Sequence, residues 1–186
     1  MNATIRTAIE QDADAIAALI HDTYALELGQ YNANEAGRIT DRLHNTNLYL
    51  VACMDTDLAG MLSITLPSAA SFSTLNRLPL VPEDVANNLH KTAEIRLLAI
   101  KPTYRGQGVF DQLMQAAIIT CYGQGIDRVL ISAISNRVSL YEFMGFQTVG
   151  EAVQEGTAVF QPMIITRQTL EASPYMQKLA MRKIPA

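Results

Sequence analysis

The chain predicts an α/β fold: a single domain on a mixed, mostly antiparallel sheet of about seven strands flanked by helices. Two observations carry this expectation. Strand-like hydrophobic runs and helical patterns follow one another in the order β α α β β β α β α β β, with no internal repeat and no low-complexity linker. The 186 residues are 49% hydrophobic and 17% charged, a globular balance in a chain long enough for one real core.

The elements read in order as follows. "ATIRTA" alternates like a short edge strand, and "EQDADAIAALIHDTYALEL" spaces Ile16, Leu19, Ile20 and Tyr24 at helical intervals behind acidic starting residues. "NEAGRITDRLH" reads as a second amphipathic helix with Ile39 and Leu43 on one side. "NLYLVACM" and "LAGMLSITL" are hydrophobic strands joined by the turn-like "DTDLAG", which makes a meander and not a βαβ unit. Residues 67–91 hold three prolines and scattered polar side chains, and are expected as a long loop of the functional or mobile kind. "TAEIRLLAI" is the strongest strand, and "GVFDQLMQAAIITCYGQG" is a helix with Phe110, Leu113, Met114 and Ile118 on one face and glycine stop signals after it. Strand "DRVLISAI", helix "RVSLYEFMG", and strands "FQTVGEA" and "AVFQPMIITRQ" complete the domain, with a tail over about 171–186.

Composition excludes several classes of function. A net charge of −4 argues against nucleic acid or an anionic membrane as the main partner, because either calls for a clustered basic surface. The N-terminal stretch lacks the basic start and apolar core of a signal peptide, and no run approaches the roughly 20 apolar residues of a membrane span. Cys53 and Cys121 stand far apart and read as buried thiols of a cytoplasmic protein. His21, His44 and His90 are equally dispersed, so no metal site is expected.

The stretch "YRGQGVF", Tyr104 to Phe110, places two glycines beside an arginine between a strand and a helix. Unpaired N–H groups and partial positive charge make a glycine-lined helix N-terminus a natural anion cradle. The Walker pattern fails because Val109 and Phe110 stand where a Lys-Ser or Lys-Thr pair belongs, and the dinucleotide pattern fails because "KPTY" separates the strand from the first glycine.

Arg105, Gly108 and Phe110 instead resemble the Arg/Gln-x-x-Gly-x-Gly/Ala signature of the Gcn5-related N-acetyltransferase (GNAT) superfamily, with Phe110 replacing its small last residue. "AEIRLLAIKPTYRGQGVFDQLM" carries that family's strand, proline and arginine-glycine turn in order, and "LYEFMGF", Leu140 to Phe146, is similar to its second signature. The resemblance implies an acyl-CoA N-acyltransferase fold with acetyl-CoA or another acyl-CoA as co-substrate and no metal. It assigns the backbone of Leu98, Ala99 and Ile100 to the thioester carbonyl and pantetheine arm, and that of Arg105, Gly106, Gln107, Gly108, Val109 and Phe110 to the pyrophosphate. The family often has an asparagine seven residues before its tyrosine; here Ile134 stands there and Asn136 is the nearest asparagine.

Acyl transfer to an amine needs a proton acceptor, because an alkyl amine has a pKa of about 10. Glu94 is the candidate base: strand alternation puts Glu94 and Arg96 on one face with Leu98 and Ile100, where an idle charge is costly. The alternative is that Glu94 and Arg96 sit at the exposed end of the strand as an ion pair or solvated charges. Tyr141, by resemblance, is the acid that protonates the departing thiolate, and the alternative is a packing residue with its hydroxyl tied to backbone. The first expectation for function is transfer of an acetyl or other short acyl group to a primary amine of a small molecule or peptide. "DTYALELGQYNANEAG" is also similar to acyl-homoserine-lactone and N-acyl amino acid synthases, which implies a second reading with long-chain acyl-carrier protein as donor. Those relatives tend to carry an arginine three residues after the strand glutamate, whereas Arg96 is two after Glu94. A third reading is a non-catalytic acyl-CoA sensor. The resemblance also leaves room for a homodimer.

Overall fold

A computed structural model describes residues 3–67 and 72–182, with the side chains of 179–182 left aside. Among the described residues, eight strands form one sheet: β1 (Thr4–Thr7), β2 (Leu48–Met54), β3 (Asp57–Thr65), β4 (Thr92–Ile100), β5 (Arg128–Ile134), β6 (Gln147–Thr148), β7 (Val153–Glu155) and β8 (Ala158–Thr166). The spatial order is β1-β2-β3-β4-β5-β8-β6, with β7 also on β8. All pairings are antiparallel except β4 with β5. The eighth strand, β7, went unseen in the sequence because three residues are too few to establish a period.

One helix covers each face of the sheet. α1 (Ala13–Ile20) buries Ile16, Leu19 and Ile20, and the chain continues through a seven-residue π-helical segment, His21–Glu27, that buries Tyr24. α3 (Val109–Gly123) buries Leu113, Met114, Ala117 and Ile118 against the other face. Two hydrophobic clusters result, one under α3 and one under α1. Four further α-helices are described: α2 (Glu83–Ala86), α4 (Val138–Phe143), α5 (Arg167–Glu171) and α6 (Pro174–Arg182). The expected tail is therefore largely helical, and Tyr175 in α6 is buried against the α3 cluster. Within 67–91 the described part folds into short helical turns around α2; residues 68–71 lie outside the described residues.

Two expectations are corrected. Residues 34–44 form turns and no helix: Gly37 has φ +62°, and the Ile39 amide donates to the Ala17 carbonyl at 3.0 Å, which ties the segment to α1 as an extended strap. The alternation along β4 is also broken. Met61 pairs with Ala99 while Ser63 pairs with Arg96, so β4 spends one extra residue there, and Leu97 has φ +52°. This bulge returns Leu97 and Ala99 to the α1 face beside Glu94 and Arg96, whereas Ala93, Ile95, Leu98 and Ile100 join the α3 cluster. Glu94 and Arg96 thus do not share a face with Leu98 and Ile100.

The central strands separate. β4 and β5 pair only from Thr92–Glu94 to Arg128–Leu130, after which β4 follows β3 and β5 follows β8 to their ends. A gap opens through the sheet just beyond Glu94.

Candidate active site

A cavity of about 120 Å³ occupies this gap. Its wall on the α3 face is apolar, with Ile95, Leu98, Met114, Ile131 and Tyr141. On the other face Tyr24, Tyr31, Ser73, Arg77, Glu94 and Arg96 line it. The two candidate catalytic side chains, on β4 and α4, therefore meet in one cavity.

Glu94 is 0% exposed, which removes the alternative of solvated charges at a strand end. Its Oε1 accepts from Ser73 Oγ at 2.9 Å and from the Thr74 amide at 2.6 Å, and its Oε2 accepts from the Ser73 amide at 2.9 Å. Arg96 Nε lies 3.8 Å from Oε2. A buried carboxylate needs such partners, and here they fasten the loop before α2 onto the sheet. Thr74 Oγ1 is also 2.9 Å from Ser132 Oγ on β5, so the loop bridges both edges of the gap. On its other side Arg96 Nη1 donates to Asp41 Oδ1 at 3.3 Å; Asp41 further accepts from Tyr49, Asn47 and the Leu43 amide. Glu94, Arg96 and Asp41 form one buried chain of charges.

Tyr141 packs edge-on against Phe110 and Phe146, at ring-centroid distances of 5.9 and 5.6 Å. Its hydroxyl makes no hydrogen bond among the described residues, and burial pushes its pKa up to about 12 against a smaller opposing effect of Arg137. Gly145 in the same motif is required by packing: a Cβ there would meet the Thr169 carbonyl of α5 at 2.4 Å. Phe110, which departs from the superfamily pattern, fills its place by covering Tyr141.

Gly106 and Gly108 have φ +77° and +81°, and a Cβ on Gly106 would meet nothing within 4 Å. Backbone shape, not crowding, selects these glycines, and the space over the N-terminus of α3 is open. Val109 is buried, and Gln107 turns back to the Thr103 carbonyl at 2.8 Å. Arg105 does not project freely into that space: its Nε donates to the Ile100 carbonyl at 3.0 Å and its Nη2 to both oxygens of Glu27, at 2.9 and 2.7 Å. Leu98 lines the cavity while Ala99 packs toward α1 and Ile100 pairs with Gly60. Asn136 is exposed and does not line the cavity; Ile134 does.

Residues missed in the sequence complete the site. Tyr24 Oη donates to the Leu98 carbonyl at the bulge, 3.0 Å away, and burial raises its pKa. The turn between β7 and β8 closes over the segment following the π-helix: Thr157 Oγ1 donates to the Leu28 carbonyl at 3.1 Å, and Gln30 bonds Glu155, which also pairs with Arg77 at 2.5 Å. Only the density of tyrosines and glutamates near Tyr24 hinted at this in the sequence. Among the described residues no cluster of side chains suits a metal ion, and no helix is long and apolar enough to cross a membrane. Cys121 is buried, whereas Cys53 is only half-buried; both are free.

A mixed sheet split between β4 and β5, with a glycine turn leading onto α3, defines the GNAT-type acyltransferase fold. Solved structures agree: the chain superposes on FeeM, an N-acyl amino acid synthase from uncultured soil microbes, with a TM-score of 0.74 at 15% identity, covering 95% of this chain and 97% of that one. The CoA-dependent acyl-homoserine lactone synthase BjaI gives 0.71 at 21% identity, covering 91% and 87%. A putative N-acetyltransferase from Lactobacillus plantarum gives 0.65 at 17%, covering 89% and 99%. Among curated protein sequences none matches significantly. The family model for the N-acyl amino acid synthase FeeM matches residues 15–167, and the chain belongs to that family: it is an N-acyltransferase. Between the two enzymatic expectations, this favours the synthase-like one over acetyl transfer.

Proposed function

We propose that this enzyme transfers an acyl group from a thioester of coenzyme A or acyl-carrier protein to the α-amine of an amino acid or an amine derived from one. The observation that carries this is the two-sided cavity at the sheet gap, apolar under α3 and polar under α1, in a member of this family. An acyl chain suits the wall of Ile95, Met114 and Ile131; the amine approaches from the side of Glu94 and Arg96. The open amides from Gly106 to Phe110 fit a pyrophosphate, since they lie on a helix N-terminus with nothing packed over Gly106.

The amine nitrogen bonds to the thioester carbonyl carbon as the carbon–sulfur bond breaks. Ser73 Oγ, already donating to Glu94, accepts the amine's proton while its own passes to the carboxylate. Tyr141, neutral below about pH 12, gives its phenolic proton to the leaving thiolate. Transfer of a short acyl group is the second reading, favoured by the cavity's modest volume of about 120 Å³.

Thiol release measured with acetyl-, octanoyl- and dodecanoyl-CoA and the matching acyl-carrier proteins, over a panel of amino acids and simple amines, tests the proposal. Release with the longer donors and an amino acid supports it. Release with acetyl-CoA alone supports the second reading, and donor binding without release under any condition supports a sensor.

A further inference from the structure

A second cavity, of about 280 Å³, lies on the α1 face and shares Tyr31, Arg96 and Leu97 with the first. Resting on the synthase reading above, we propose that it is the acceptor site and that it selects an α-amino acid with an apolar side chain, holding the carboxylate at Arg96.

The chemistry of the lining points this way. Its one carboxylate, Asp41, is already saturated by the Leu43 amide, Asn47, Tyr49 and Arg96, so it has little left to offer a cation. Arg96 is different. Its side chain is 10% exposed and is held at Nη1 by Asp41 and near Nε by Glu94, while Nη2 makes no hydrogen bond among the described residues. A buried guanidinium fixed on two sides and left with a spare donor edge is organised to receive an oxyanion. Arg42, exposed at the mouth, adds a second cation.

The remaining wall is Ile20, Ile39, Leu97, the Tyr31 ring and the exposed Thr40, a mostly apolar surface that favours an apolar side chain and penalises a charged one. The wall is also preformed, because the Ile39 amide is anchored on α1 and Asp41 on β2 and β4. With the carboxylate on Arg96, which borders both cavities, the neighbouring α-amine lies at their junction beside Glu94.

Titration calorimetry in the presence of free CoA tests this without turnover. L-Leucine is expected to bind, with L-leucinamide and isopentylamine, which lack the carboxylate, about tenfold to a hundredfold weaker, and L-aspartate also weaker. Ile39→Trp fills the cavity from its apolar wall and keeps every charged residue of the chain; it should abolish leucine binding while leaving octanoyl-CoA binding intact. Equal binding of leucine and leucinamide, no leucine binding, or an unchanged Ile39→Trp variant would each overturn the assignment. Failure of the synthase reading looks different: leucine binds as expected but no donor releases thiol.

Discussion

Glu94 fastens the Ser73–Thr74 loop, and the proposed mechanism gives it a second duty, taking a proton, that substitution can separate from the first. Glu94→Gln replaces one acceptor oxygen with an amide that opposes the donors of Ser73 and Thr74. It should lower stability by about 1–3 kcal/mol in denaturant melts and lower turnover at neutral pH. Turnover should be partly restored as pH rises toward the amine's pKa of about 10; an unchanged pH–rate profile would remove Glu94 from proton transfer. Tyr141→Phe should slow the chemical step while leaving donor affinity and folding nearly unaltered, because the hydroxyl anchors nothing among the described residues. Loss of affinity alone would make Tyr141 a wall of the cavity. The placement of Glu94 on β4 and Tyr141 on α4 was legible in the chain because each sits inside a motif or strand that names its surroundings. Ser73, Thr74 and Asp41 were not, because their partners are distant in sequence and no local period reports such a contact.

At the scale of elements, regular periods were readable and departures from them were not. Ile16, Leu19 and Ile20 appear on the buried face of α1 as their spacing predicts, and β4 spans the residues expected of it. The bulge at Leu97 breaks the alternation, and a strand pattern cannot signal an inserted residue when Leu97 and Leu98 are alike. The π-helical segment hides for a similar reason: its wider turn mimics a continuing α-helix over so few residues. Gly108 was legible as a turn, and its φ of +81° leads to a prediction. Gly108→Ala should cost about 1–2 kcal/mol from the left-handed backbone and weaken CoA binding in calorimetry; native affinity would place the pyrophosphate elsewhere. Residues 34–44 misled because Ile39 and Leu43 have helical spacing, yet Gly37 and the pull of Arg96 and Tyr49 on Asp41 hold an extended course.

Across the whole molecule, burial keeps the phenols of Tyr24 and Tyr141 neutral beyond their ordinary range. The unfolded chain releases those protons near pH 10 and the folded one does not, so their contribution to stability is complete below that pH and declines as pH rises above it. Denaturant melts between about pH 9 and 11 should show this decline, and Tyr24→Phe should make it shallower; a flat profile in the native protein would contradict the burial described.

The clasp between Leu28 and Thr157 has a consequence for synthesis. The vessel's rim joins a segment made early to a hairpin made late, with Gln30 and Glu155 125 positions apart. A growing polypeptide on the ribosome therefore carries an unfinished basin, whose rim closes only once that hairpin has emerged.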